Sequence, residues 1–105
     1  MGRKHSVLLL SAAMDDLRGI ADYVARDNEE RALEVIDEID AALDRLENFP
    51  ESGAVPRDAA LARMGYRVLV VSSFLVFYTI EEHVVEVHRV IHGRRRYAHL
   101  FGNGA

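Results

Sequence analysis

Basic and proton-transferring side chains gather in the last two-fifths of this 105-residue chain. Arg67 falls in one apolar run, Arg89 and His92 fall in another, and Arg94, Arg95, Arg96 and Tyr97 follow directly. Antiparallel pairing of the two runs and a short turn would bring these residues together. A cluster of that kind can hold a phosphate. It can also stabilise the charge that builds when an RNA 2′-hydroxyl attacks the neighbouring phosphate, with His92 or Tyr97 moving protons. The competing expectation is that the arginines pair with the acidic residues that predominate between Asp15 and Glu51.

Other chemistries lack their residues. His5, His83, His88, His92 and His99 show no close metal-ligand spacing, and no predicted helix carries two histidines four apart. No nucleophile elbow or glycine-rich phosphate loop is present to give a Ser, His and Asp triad meaning. The absence of cysteine removes disulfides and thiolate metal sites and suits a reducing cytoplasm. Neither a metal nor a cofactor is expected.

Positioning the basic cluster requires a sheet and something to back it. Val7 to Leu10 reads as a first strand. Ser11 reads as the N-cap of a helix with Asp15 and Asp16 in its first turns and Ala13, Leu17, Ile20, Ala21 and Val24 on one stripe. Asp27-Asn28 interrupts it and caps a second helix, whose inward stripe is expected at Ala32, Ile36, Ile39, Leu43 and Leu46 until Asn48-Phe49-Pro50 stops it. The short link favours an antiparallel helical hairpin. After a turn-rich stretch and a short helical turn over 59–64, Gly65 releases the chain into three strands, 66–71, 74–80 and 84–91. Ser72-Ser73 and Glu81-Glu82-His83 are their connections. The middle strand lacks alternation, so it should be covered on both faces, or on one face by helices and on the other by a partner. The expected fold is α+β, ordered β-α-α-β-β-β. It is an antiparallel sheet of about four strands carrying an N-terminal strand and a helical hairpin on one face.

Size allows one domain, spanning 1–105, because a second would leave neither with an adequate core. Half the residues are apolar and 29% are charged, a globular balance rather than a disordered one. The apolar run at Val7 to Leu10 is too short for a signal peptide or a membrane span, so a cytoplasmic protein without membrane association is expected. The net charge is −4, yet its distribution is uneven, with an acidic first half and a basic end. Such an end can meet nucleic acid or an acidic protein segment.

Several blocks now fall into one order. Ser11 to Tyr23, Leu46 to Gly53, Gly65 to Val70, Phe77-Tyr78 and Val87 to Arg95 together resemble the RelE/ParE superfamily of type II toxins over nearly the whole chain. The resemblance implies the fold just described, a cognate antitoxin that wraps the toxin as a hetero-oligomer, and growth inhibition when that antitoxin is lost. It also implies a link to plasmid stabilization.

Two chemistries share that fold. RelE-like members are mRNA interferases, endoribonucleases that cut messenger RNA in the ribosome, whereas ParE-like members poison DNA gyrase. On the resemblance, Arg67 matches a basic strand residue of the nuclease branch and Arg95 lies near its second arginine, with Tyr97 or Phe101 near its C-terminal tyrosine. Leu69 and Leu75 stand where that branch has a lysine and an arginine, and Lys4 is the sole lysine. With the acidic net charge and long helical hairpin, these departures favour the ParE-like reading, with the RelE-like interferase as the alternative. A third possibility is an inactive member that binds only its antitoxin. The residues expected to carry activity are Arg67, Arg95, His92 and Tyr97 for a nuclease. Arg89, Arg94, Arg96 and Phe101 are expected to contact a target or partner.

Overall fold

The computed structural model describes residues 4–94 and Phe101. The chain runs through β1 (Ser6–Leu9), α1 (Ser11–Ala25), α2 (Glu29–Leu46), α3 (Ala59–Arg63), β2 (Arg67–Val71), β3 (Phe74–Glu81) and β4 (Val84–His92). The four strands form one sheet in the order β1-β4-β3-β2. β2, β3 and β4 pair antiparallel, while β1 runs parallel to β4, so the sheet is mixed at that edge. The parallel pairing follows from connectivity, because the α1–α2 hairpin and two strands intervene between β1 and β4. The expected α+β architecture, with the hairpin against one face, is the one observed.

β1 passes into α1 without a turn, and this changes the helix start expected from sequence. Leu10, not Ser11, occupies the N-cap position, and no side chain caps the helix. Leu10 N–H donates to the Val87 carbonyl (3.0 Å), so the residue preceding the helix still belongs to the β4 ladder. Ser11 is therefore already helical. At α2 the expected cap is present, with Asn28 Oδ1 accepting from Arg31 N–H (3.0 Å).

The buried stripe of α2 is Ala32, Val35, Ile39, Ala42, Leu43 and Leu46. Its steps of three and four residues are those of a helix face, but it is rotated relative to the expected stripe, leaving Ile36 half-buried at the flank and placing Val35 inside. With Ala13 of α1, Val35, Ile39, Ala42, Leu43 and Leu46 pack on Val71, Phe74, Val76, Tyr78, Val85, Val87 and Val90. The opposite face of the sheet carries a smaller cluster of Leu61, Tyr66, Phe77 and Ile91, against which Phe101 packs. The middle strand is thus covered on both faces from within the chain, with α3 supplying Leu61. Asp58 caps α3 by accepting from Leu61 N–H (3.0 Å). Gly65 then turns the chain into β2 at φ +86°, a conformation that a side chain disfavours.

Candidate functional site

Arg67 opens β2 opposite Tyr78. Its Nη1 donates to the carbonyls of Gly53 (2.9 Å) and Glu51 (3.2 Å). Tyr78 holds the same loop from the buried side: its hydroxyl donates to the Pro50 carbonyl (2.6 Å) and accepts from Gly53 N–H (2.9 Å). Burial raises the Tyr78 hydroxyl pKa, only partly opposed by the Gly53 hydrogen bond and the Arg67 charge, so it remains a protonated donor. A Cβ at position 53 would stand 2.6 Å from that oxygen, which is why glycine is required there. Arg67 and Tyr78 therefore clamp the 50–53 loop to the sheet.

Arg89 is engaged differently. Its Nε and Nη2 donate to Asp16 Oδ2 (2.7 Å) and Oδ1 (2.8 Å), and Val90 N–H donates to the same Oδ2 (2.9 Å). The two side chains are only 17% and 12% exposed. The fork of charge-assisted bonds raises the Arg89 pKa further. Asp16 also completes the sheet edge, because β1 pairs with β4 only through Val87 and Val90 lies beyond it. Arg89, expected to contact a target or partner, instead pairs with the acidic helix, the competing expectation from sequence. Sequence spacing gave no sign that Asp16 would be its partner, 73 residues away.

A register shift between Phe77 and Tyr78 leaves His88 without a strand partner. Its ring lies on the α3 side, Nδ1 at 3.2 Å from the Tyr66 hydroxyl and Nε2 at 3.0 Å from Thr79 Oγ1. Burial lowers its pKa, partly opposed by Glu86.

His92 and Arg94 lie together at the far end of β4. Arg94 N–H donates to His92 Nδ1 (3.1 Å), leaving Nε2 to carry the proton of the neutral ring. His92 pairs with Phe74, and Arg67 with Tyr78. Their partners are four positions apart along β3, about 13 Å, and the structure does not bring the two into one cluster. Phe101 is half-buried, its ring 4.9 Å from Tyr66 and 5.0 Å from Phe77. Arg95, Arg96 and Tyr97 lie outside the described residues. Among the described residues no group of three or more His, Asp or Glu side chains is placed to hold a metal ion. No helix among them is long and apolar enough to cross a membrane.

Two depressions meet near His92. The larger, about 620 Å³, lies between α1, the start of α2 and the far ends of β3 and β4. Ile20, Val24, Val35, Phe74 and Val90 form its apolar lining, and Asp15, Tyr23 and Arg31 stand around it. Tyr23 is 69% exposed, its ring beneath the Arg26 guanidinium at 6.0 Å. The smaller, about 260 Å³, is formed by Val70, Ser72, Ser73, Leu75, His92, Gly93 and Arg94. Ser73 and His92 line both, forming the ridge between them.

Residues 7–97 match the family described as the ParE toxin of the type II toxin–antitoxin system, parDE. Among solved structures, the fold is similar to that of the chromosomal ParDE TA system from P. aeruginosa. That match has a TM-score of 0.70 and 20% identity over 87% of this chain and 98% of the other. It is also similar to the RelBE2 toxin–antitoxin complex from Mycobacterium tuberculosis, with a TM-score of 0.60 and 21% identity over 85% and 98% of the two chains. No curated protein matches the chain.

Proposed function

Because this chain belongs to the ParE family of type II toxins, we propose that it arrests growth by poisoning DNA gyrase and is neutralised by a cognate antitoxin in a hetero-oligomer. The observation that carries the choice of target is the engagement of the strand arginines. A phosphate-cleaving site needs cations and proton donors converging on one reacting group. Here Arg67 serves loop carbonyls and Arg89 serves Asp16. Leu69 turns toward the helices and Leu75 toward the opposite face, each apolar where the nuclease branch has a cation. A gyrase poison acts through a protein interface and needs no such convergence.

The larger groove suits the antitoxin. It combines an apolar lining with an exposed tyrosine, and twelve carboxylates against four arginines lie between Ser11 and Glu47. An amphipathic segment with basic flanks fits that combination. The relatives that share the fold come from a toxin–antitoxin system and a toxin–antitoxin complex, which supports such a partner for this chain. The cytoplasm, where gyrase works, is the location this reading requires.

Induction of the chain in cells with and without the product of its neighbouring gene tests the proposal. Growth arrest relieved by that product, with plasmid DNA losing negative supercoils and transcripts intact, supports it. Arrest with cleaved messenger RNA and normal plasmid topology would replace it with the interferase reading, and harmless expression would leave a binding-only member.

A further inference from the structure

The antiparallel register sets Val70, Leu75 and Ile91 side by side in one row on the face away from the helical hairpin. Exposure rises along that row toward the sheet edge: Ile91 is 2% exposed, Leu75 is half-buried and Val70 is 68% exposed. Val70 and the adjoining Leu75 form a small apolar patch on a strand at the sheet edge. The edge is open at the same residue. Val68 exchanges both backbone hydrogen bonds with Ala54 on the outer side (2.8 and 2.9 Å). Two residues on, Val70 turns its N–H and C=O to that same side, with no partner among the described residues. The depression beside it carries Ser72, Ser73, His92 and Arg94 and no carboxylate, in contrast to the acidic hairpin on the other side of the sheet.

We propose that this slot at Val70 and Leu75 is where the toxin engages its target, and that it takes an apolar side chain next to a carboxylate on an extended segment of the target protein. The apolar side chain lies over Val70 and Leu75, the carboxylate meets Arg94 and the His92 Nε2–H, and the segment's backbone pairs with Val70. This use of the slot rests on the reading above that the toxin acts on a protein. The sign of charge selects the occupant, because a basic segment is drawn to the helical hairpin and an acidic one to this rim. A nucleic acid fits the slot less well, since one arginine and one histidine must work against a net charge of −4.

Val70→Asp removes the apolar contact and repels the carboxylate, and Arg94→Glu reverses the rim; both residues are exposed, so folding is preserved. Each variant should lower growth inhibition about tenfold or more, as loss of an interface anchor does, while its melting temperature and its co-purification with the antitoxin stay those of the wild type. Full toxicity of both variants, or loss of antitoxin binding in both, would overturn the assignment, the latter giving the slot to the antitoxin. Purified DNA gyrase separates this idea from the one it rests on. If the wild type blocks supercoiling and both variants block it equally, the slot fails and the gyrase reading stands. If the wild type leaves supercoiling untouched while the variants still lose toxicity without any change in mRNA cleavage, gyrase fails and the slot stands for another protein. Loss of mRNA cleavage in both variants would assign the slot to RNA and overturn the proposal.

Discussion

Replacing Asp16 by Ala removes a carboxylate that three donors share: Arg89 Nε, Arg89 Nη2 and Val90 N–H, at 2.7, 2.8 and 2.9 Å. The variant leaves a guanidinium without its counter-charge in a place where its side chain is only 17% exposed, and a strand-edge N–H without an acceptor. Breaking a buried pair from one side costs about 3–5 kcal/mol. Residual exposure lets water reach Arg89 in the variant, so the low end applies, about 3 kcal/mol. For a domain of this size each kcal/mol lowers the midpoint by about 4–8 °C, which puts the expected loss near 12 °C or more. Thermal unfolding followed by circular dichroism measures it. The double variant Asp16→Leu with Arg89→Met removes both charges, leaves no orphan, and should recover about half of the loss or more. An Asp16→Ala midpoint within about 2 °C of wild type, or a double variant no more stable than the single one, would refute the claim that Arg89 is a structural residue held by Asp16.

Tyr78→Phe strips the 50–53 loop of its buried donor and acceptor and should destabilise the protein by about 1–3 kcal/mol; urea unfolding checks this, and an unchanged midpoint would remove the clamp. Arg67→Ala should cost a few degrees in the melt yet leave growth inhibition intact at temperatures where the variant is folded. Abolished toxicity with an unchanged melt would give Arg67 the catalytic role expected of a nuclease. His88 has a folded pKa below its ordinary value of 6.5, so as pH falls through 6.5 the unfolded chain takes up a proton that the folded one resists. Its contribution to stability is therefore full above 6.5 and declines below it. Unfolding measured at pH 7.5 and 5.5 should show a smaller pH dependence in His88→Gln than in the wild type, and equal slopes would contradict the burial argument.

The elements were legible in the sequence because their signals are local. Pro50 and Gly65 mark ends, Asn28 marks a start, and the Val- and Phe-rich runs after Gly65 alternate with two short connections. Ser11 misled because a residue's capping chemistry says nothing of whether the preceding strand still has a ladder to follow, and Leu10 does. The α2 stripe was rotated for a related reason. Ile36 outranks Val35 in bulk, but the choice between adjacent flanks depends on the direction from which the sheet approaches.

The candidate site was less legible, since its arginines carry the same sequence signal whether free or paired. Asp16 and Arg89 meet across 73 residues, and only the β4 register, with its shift beside Tyr78, decides that they do. Phe101 was expected at a target or partner contact, and no local sequence signal showed that Tyr66 and Phe77 offer it a seat on the sheet. Conversely, Val70 reads as an ordinary strand valine and becomes notable only because β2 is an edge.

One titration decides between gyrase, the proposed target, and RNA. Purified toxin is added to DNA gyrase with relaxed plasmid, and in parallel to ribosomes translating a defined message. The expected result is dose-dependent loss of supercoiling that the antitoxin reverses, with the message left whole. Ribosome-dependent cleavage of the message at toxin concentrations that leave gyrase fully active would contradict it.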